Sequence, residues 1–202
     1  MKIFSKVISI LFHPMLMPTL GLFLIFQSGV DVSFLPFEAK RIVYIIVLLT
    51  TCILPLSILP VMLQFGVINS FQMNTGRERV IPVLFTGLFY YMGYVLLNRI
   101  GLSGIIGGFM LASLVALLLA VVVSFFWKIS LHSIGIGGVV GAVMGIAFRY
   151  DIDLSVILLG ALLASGLTAS ARLYLGAHRP AQVYAGFIWG FSVVFSSIFI
   201  YS

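Results

Sequence analysis

The sequence has very little charge and only one cysteine. Charged residues make up 8% of its 202 residues, whereas apolar residues make up 62%, which leaves too little polar surface for a soluble domain of this size. The single Cys52 excludes an internal disulfide framework and a cysteine-based metal site. Outside the apolar runs there is no basic, aromatic-interleaved patch of the kind that binds nucleic acid. We therefore expect an integral membrane protein with no nucleic-acid partner.

Known cofactor motifs are also missing. The chain has no Walker loop, dinucleotide fingerprint or zinc motif. The one acidic pair, Asp151 and Asp153, lies in a short turn between two apolar runs, and hard cations usually need more oxygen ligands than two. We expect a solvated turn there, no metal and no cofactor.

Seven apolar runs are long enough to cross about 30 Å of hydrocarbon. They lie at approximately 7–28, 42–68, 82–98, 104–127, 133–149, 154–170 and 182–201. The predicted fold is all-α, a polytopic transmembrane helical bundle of six to seven spans in a single domain over 1–202. The first run contains His13 and Pro14 and no clear small-residue cleavage site, so we interpret it as a retained helix with a proline kink. A second interpretation, in which His13 lines a substrate entrance, stays open.

Small residues recur four apart in several of these runs. Such spacing lets helix backbones approach closely in lipid, where packing drives association. We expect tight helix contacts at four sets: Gly104/Gly108/Ala112, Gly137/Gly141/Gly145, Gly160/Ala164 and Gly186/Gly190.

Three short polar stretches interrupt the apolar runs, at residues 75–79, 128–132 and 172–179. They hold two of the three histidines and five of the eleven Lys and Arg residues. Two predicted spans separate each neighbouring pair of stretches, so all three emerge on the same face of the bilayer. Arginine forks match phosphate oxygens, lysine adds a compact charge, and a neutral histidine can attack phosphorus or move a proton. Taken singly, each Arg is explained by snorkelling to headgroups and each His by helix capping. Together they indicate a phosphoryl-transfer site.

The polar stretches resemble the motifs of a known family. Arg172, five intervening residues, His178 and the run 183–186 resemble the third motif of the type 2 phosphatidic acid phosphatases. Ser130-Leu-His132 is similar to their second motif, and residues 79–82 are similar to their first. The resemblance covers about residues 74–190 and agrees with that family's helical bundle.

The resemblance implies roles for individual residues. His178 corresponds to the family's nucleophile and His132 to the acid that protonates the leaving oxygen. Gln182 stands where the family has an aspartate, and its carbonyl can accept the same hydrogen bond without a charge. Ser130 belongs to the second motif. The implied phosphate-binding set is Arg77, Arg79, Lys128, Ser130 and Arg172.

Lys128 receives a separate interpretation from its spacing. It lies four residues before His132, so both side chains would share a face on a continuous helical turn. We expect Lys128 to replace the lysine that the first motif lacks.

The expected function is a metal-independent membrane lipid phosphatase. It would hydrolyse a lipid phosphomonoester or pyrophosphate through a phosphohistidine, with a phosphorylated lipid as substrate and membrane lipids as neighbours. The alternative is a non-catalytic protein of the same fold that binds or translocates anionic lipid, which the uncharged Gln182 favours. A small transporter or channel is the third class, and charges clustered at span ends disfavour it.

The distribution of positive charge gives two answers on orientation. Counted over all loops, the face with the polar stretches is the more basic, and the positive-inside rule then places it in the cytoplasm. Leaving out the five cations of the predicted site reverses the result, because two cations then remain on that face against four on the other. We expect a bacterial inner (cell) membrane with the site on the non-cytoplasmic face; the oligomeric state is left open.

Overall fold

The computed structural model describes residues 1–71, 73, 77–102 and 104–201, except for the side chains of Arg77 and Tyr201. Within these residues there are nine α-helices and no strand, which confirms the predicted all-α fold. The helices are α1 (Lys2–Leu11), α2 (Met17–Phe26), α3 (Phe37–Leu48), α4 (Leu54–Gln64), α5 (Val80–Arg99), α6 (Gly104–Ser124), α7 (Leu131–Tyr150), α8 (Ser155–Tyr174) and α9 (Pro180–Tyr201).

In the described part of the chain, seven helical segments are long and apolar enough to cross a membrane. They are Lys2–Phe26, Phe37–Gln64, Val80–Arg99, Gly104–Ser124, Leu131–Tyr150, Ser155–Tyr174 and Pro180–Ile200. These segments coincide with the seven predicted runs, with the largest differences at the starts of the first two. The chain is thus a polytopic membrane protein.

The first span is interrupted rather than bent. α1 ends at Leu11, and Pro14–Leu16 form a single 3-10 turn before α2 begins. The backbone of His13 is extended, with φ −65° and ψ 138°, as expected for a residue that precedes proline. Thr51, in a π-helical turn between α3 and α4, donates from its hydroxyl to the Met15 carbonyl at 3.1 Å. This hydrogen bond satisfies a backbone carbonyl that the interruption takes out of regular helix.

α1 presents its two serines inward, together with Ile8, and most of its large apolar side chains outward. Ser5 and Ser9 are buried, whereas Ile3, Phe4 and Val7 are exposed. This helix packs against α8. Such an orientation suits a helix whose outer face meets lipid and whose inner face meets polar partners.

The tightest helix pair is α7 with α9. A methyl group added to Gly141 would lie 2.5 Å from the Phe191 carbonyl oxygen, and one added to Gly190 would collide with the Ile134 carbonyl. The predicted close contacts are therefore confirmed for the glycines of these two helices. Among the described residues the prediction is wrong for Gly104 and Gly160, where an added methyl group would meet nothing within 4 Å. Gly108 also leaves space for a methyl group, but it is buried and its carbonyl accepts from the Ser197 hydroxyl of α9 at 3.4 Å.

The two helices begin side by side. One span separates them, so they run in the same direction, and the Ser130 backbone N–H before α7 donates to the Gln182 carbonyl in the first turn of α9 at 3.2 Å. The start of α5 and the end of α8 lie at the same end of the bundle. The second and third polar stretches thus meet directly, as the parity of the spans predicts.

Candidate functional site

His178 is the centre of the candidate site. It lies in the connection between α8 and α9 and is 7% exposed. Its Nδ1 is 3.2 Å from the Lys128 carbonyl oxygen and 3.3 Å from Gln182 Oε1. Both neighbours are acceptors, so we assign the proton of the neutral ring to Nδ1. Nε2 then keeps its lone pair and is the atom available for nucleophilic attack.

Gln182 is fixed by a second hydrogen bond. Its Oε1 accepts the Arg179 backbone N–H at 3.0 Å. Gln182 is the third residue of α9, and a side chain reaching back to the N–H just before a helix is one half of a capping box. The same oxygen therefore caps α9 and holds the ring of His178, which ties the orientation of the ring to the start of the helix.

The surroundings of His178 keep its ring neutral. Burial, followed by the positive charges of Arg172 and Arg79, lowers the pKa of His178 to about 4, and the hydrogen bonds to Gln182 and to the Lys128 carbonyl only partly oppose this. At neutral pH the ring is therefore a base with a free lone pair. This is the protonation state that a histidine nucleophile requires.

Three cations from three different elements lie close to that ring. Arg79 precedes α5, Lys128 precedes α7, and Arg172 is in the last turn of α8. Burial and then the charge of Arg172 lower the pKa of Arg79. Burial lowers the pKa of Lys128, and so do Arg79 and Arg172, while Glu78 opposes the shift. These mutual effects show that the three cations share one region.

Like charges held together in a partly buried region favour binding of an anion. Arg79 Nε donates to the Met73 carbonyl at 3.2 Å, which orients its guanidinium. Arg172 Nη1 lies 3.5 Å from the Ser9 hydroxyl, whereas Arg172 Nε is buried with no hydrogen-bond partner among the described residues. A buried, unpaired guanidinium donor is costly unless a ligand supplies an acceptor.

His132 lies in the first turn of α7 on the other side of Arg172. Its Nε2 is 3.1 Å from the Ser9 carbonyl oxygen, so we assign a proton to Nε2 and leave Nδ1 for other chemistry. The charge of Arg172 acts on the rings of both His132 and His178, which places both histidines near one guanidinium. The structure thus brings the two predicted catalytic histidines into one neighbourhood.

Two predicted phosphate ligands have other positions than expected. α7 begins only at Leu131, and the backbone of its N-cap Ser130 is extended, so Lys128 and His132 do not share a helical turn. The expectation of a common face is wrong, although the carbonyl and the charge of Lys128 both belong to the site. Ser130 is 0% exposed, and its hydroxyl accepts from the Ser133 N–H and the Ser133 hydroxyl, so in this conformation it caps α7 and offers no exposed atom to a phosphate.

Some of the remaining predicted site residues lie outside the part of the chain that the structure describes, and others are exposed. The Arg77 side chain, Thr75 and Gly76 lie outside the described residues. Arg179 is exposed. Asp153 caps the Ser155 N–H at 2.9 Å in an exposed turn, and the described residues contain no cluster of His, Cys, Asp and Glu that suits a metal.

Sequence reasoning missed the contribution of the first span. Ser9 bonds both His132 and Arg172, and the rings of His13 and His132 stand edge to face with centroids 5.3 Å apart. The signal that could have revealed this is the spacing of Ser5, Ser9 and His13, which places one polar residue per turn on one face of an otherwise apolar run. Comparisons with protein-family models, curated proteins and solved structures found no match. Function is therefore inferred from the geometry of the site.

Proposed function

We propose that the chain is a membrane lipid phosphatase that resembles the type 2 phosphatidic acid phosphatases and acts through a phosphohistidine on His178. The observation that carries the proposal is the state of the His178 ring. It is neutral, its Nδ1–H is held by two acceptors, and the charges of Arg172 and Arg79 act on it. A nucleophile with a free Nε2 next to an anion-binding region is the arrangement that phosphoryl transfer needs.

The first half-reaction transfers the phosphoryl group to the enzyme. His178 Nε2 attacks phosphorus, a nitrogen–phosphorus bond forms, and the bond to the lipid oxygen breaks. His132, neutral with its proton on Nε2, takes a proton at Nδ1 from the monoanionic phosphate group of the bound substrate and delivers it to the departing oxygen, while its Nε2–H stays on the Ser9 carbonyl. Arg79, Lys128 and Arg172 neutralise the charge that spreads over the phosphoryl oxygens.

The second half-reaction restores the enzyme. His132, now without the Nδ1 proton, accepts a proton from water as the water oxygen attacks phosphorus. The nitrogen–phosphorus bond breaks, and inorganic phosphate takes that proton from His132 Nδ1 as it leaves, so both rings return to their neutral state. The Gln182 oxygen keeps the Nδ1–H of His178 in place throughout, because it is also fixed by the Arg179 N–H.

An apolar crevice beside the site supports a lipid substrate. It is bordered by Pro14 and Leu131, the neighbours of His13 and His132, and it continues between the helices to Phe109. Its apolar walls can contact the part of a hydrocarbon chain nearest the headgroup, while the phosphate meets the cations and the rest of the chain stays in the bilayer. Substrates of this chemistry include phosphatidic acid, phosphatidylglycerophosphate, a polyprenyl diphosphate and a lipid A phosphate.

The test is phosphate release from a panel of lipid phosphates by purified protein in detergent with a chelator present. We expect release that is lost in His178→Ala and strongly reduced in His132→Ala. Arg172→Gln should lose activity, whereas Arg99→Gln removes an exposed cation at the opposite end of the bundle and should retain it. Rapid quenching should trap an acid-labile phosphoprotein in the unsubstituted chain and none in His178→Ala.

A second candidate is a non-catalytic protein of the same fold that binds or translocates anionic lipid. The observation that favours it is the lack of charge on Gln182, because loss of a carboxylate from a comparable triad costs on the order of 10⁴ in rate. Lipid phosphate binding that is weakened by Arg172→Gln, with release no faster than in His178→Ala across the whole panel, would select this function.

The proposal places the site on the non-cytoplasmic face of a bacterial cell membrane. Glu38, at the start of α3, and Phe126, between α6 and α7, are exposed at opposite ends of the bundle, and both can be changed to Cys after Cys52→Ala. An impermeant thiol reagent applied to intact cells should label Phe126→Cys and spare Glu38→Cys. The reverse pattern would place the site in the cytoplasm.

A further inference from the structure

His13 takes no part in the chemistry above, yet it contacts the residue assigned as the acid. The ring centroids of His13 and His132 are 5.3 Å apart with an interplanar angle of 80°, an edge-to-face pair. Four residues earlier, the Ser9 carbonyl accepts from His132 Nε2 at 3.1 Å. The first span therefore holds His132 at two points, one on a ring nitrogen and one through the ring of His13.

The fold fixes the position of His13 from both sides. His13 Nδ1 accepts the Met15 N–H at 3.4 Å, and the fully buried Thr51 bonds the Met15 carbonyl at 3.1 Å. Gly135 lies in α7, three residues after His132, and its lack of a side chain leaves space for Pro14 and Met17 of the first span. A methyl group on Gly135 would lie 2.6 Å from Met17 Cγ.

A proline kink alone does not account for these features. Pro14 ends α1 by removing an N–H, whatever residue precedes it. The kink requires neither an aromatic ring at position 13 nor a gap at position 135. Both features are accounted for if the interrupted segment has to place a ring against His132.

We propose that His13 is a positioning residue for His132, an inference that rests on the proposed phosphatase function. The edge-to-face contact limits rotation of the His132 ring, while the Ser9 carbonyl engages Nε2, so that Nδ1 is directed to the departing lipid oxygen. His13 transfers no proton and touches no substrate in this scheme. It acts through the geometry of the proton donor, and misplacement of about 1 Å at such a group can cost on the order of 10² in rate.

Two substitutions distinguish the effect of the His13 ring from the effect of its hydrogen bond to the Met15 N–H. His13→Asn keeps a good N-cap acceptor and removes the ring, whereas His13→Phe keeps a ring and removes the acceptor. Each is compared on dodecyl phosphate and on 4-dodecyl-2-nitrophenyl phosphate. These amphiphiles have tails of the same length, but only the first has a basic leaving oxygen that needs a proton.

We expect His13→Asn to lower kcat on dodecyl phosphate by about 10- to 100-fold, within the range of a positioned acid. KM and the rate on the nitrophenyl substrate should change less than about threefold, because that leaving group departs without a proton. His13→Phe should retain most of the rate on both substrates. In a His132→Ala background, His13→Asn should cause no additional loss.

Four results would overturn the inference. Equal slowing of both substrates by His13→Asn would indicate a structural role only, and so would a loss that adds to that of His132→Ala. A folded His13→Phe variant as slow on dodecyl phosphate as His13→Asn would exclude positioning by the ring. If the unsubstituted chain is no faster than His178→Ala on either substrate, the proposed function fails and this inference fails with it. Thermal unfolding in detergent identifies variants that are not folded, and a folded His13→Asn variant decides the question alone through the ratio of its rates on the two substrates.

Discussion

Restoring a negative charge beside His178 should change both its pKa and the rate of the reaction. In Gln182→Glu, a carboxylate oxygen replaces the amide oxygen that now lies 3.3 Å from His178 Nδ1 and 3.0 Å from the Arg179 N–H. Both hydrogen bonds can persist, because Glu and Gln have the same shape. The new charge also lies in the first turn of α9, where it is favoured by about 0.3–1 kcal/mol.

The pKa of His178 should rise in Gln182→Glu. His178 now has a pKa of about 4, set by burial and by the charges of Arg172 and Arg79. An opposite charge at contact distance favours the protonated ring and raises a pKa by about one to three units, which corresponds to about 1.4–4 kcal/mol. The acid limb of kcat/KM should therefore move to higher pH by the same one to three units. Above that limb the more basic nitrogen should raise the rate by about tenfold or more, since the lost charge of a comparable triad costs much more than that.

Two measurements check this prediction. The pH profile of phosphate release is recorded for the unsubstituted chain, for Gln182→Glu and for Gln27→Glu, which makes the same change at an exposed residue at the opposite end of the bundle. The pKa of His178 is followed directly by the NMR signals of its ring protons in detergent. An unchanged or lower pKa of His178 in Gln182→Glu would refute the assignment of Nδ1 as the proton-bearing atom. A raised pKa with no change in rate would refute the role of His178 as nucleophile.

Three further outcomes concern stability and the cap of α7. Gly141→Ala should destabilise the protein by about 1–3 kcal/mol, because the added methyl group would clash with backbone atoms of α9. Gly160→Ala meets open space and should leave the stability unchanged. Thermal unfolding in detergent compares the two variants, and equal stability would contradict the close approach of α7 and α9. Ser130→Ala should lower the stability by about 1 kcal/mol and leave KM unchanged, because the Ser130 hydroxyl caps α7. A KM raised about tenfold at unchanged stability would indicate instead that this hydroxyl binds the phosphate. Because the pKa of His178 is lowered in the folded protein, the protein should become less stable as pH falls from about 6.5 to about 4, where the unfolded chain already binds a proton at this ring. His178→Gln should flatten this part of the plot of stability against pH. An identical pH dependence in the variant would contradict the lowered pKa.

Most of the bundle could be predicted because lipid imposes a simple rule on sequence. A run of about 20 apolar residues has few alternatives to a helix in hydrocarbon, and all seven runs form helices. The start of the first span was placed at residue 7, whereas α1 begins at Lys2. Lys2 and Lys6 lower the hydropathy of that segment without disturbing its helical backbone, so a criterion based on apolarity starts the span too late in the chain.

The site was predictable in part because its residues lie in three polar stretches whose common face follows from counting spans. What could not be predicted depends on local backbone conformation and on packing between distant segments. The spacing of Lys128 and His132 suits a helix, but the extended backbone at Ser130 starts α7 only after Lys128. Ser9 and His13 join the site through contacts across more than a hundred residues, and no local pattern specifies those partners.

The backbone contact between α7 and α9 has a consequence for tolerance to substitution. These two helices start at the site, one with His132 in its first turn and the other with Gln182, and their separation is set by glycines against carbonyl oxygens rather than by large side chains. In a complete scan of single substitutions, we therefore expect positions 137, 141 and 190 to reject every larger residue. On α9, exposed positions such as Tyr184 and Ile188 should accept most apolar residues. α7 exposes no side chain between Leu131 and Ala147, so it should be sensitive to substitution along nearly its whole length.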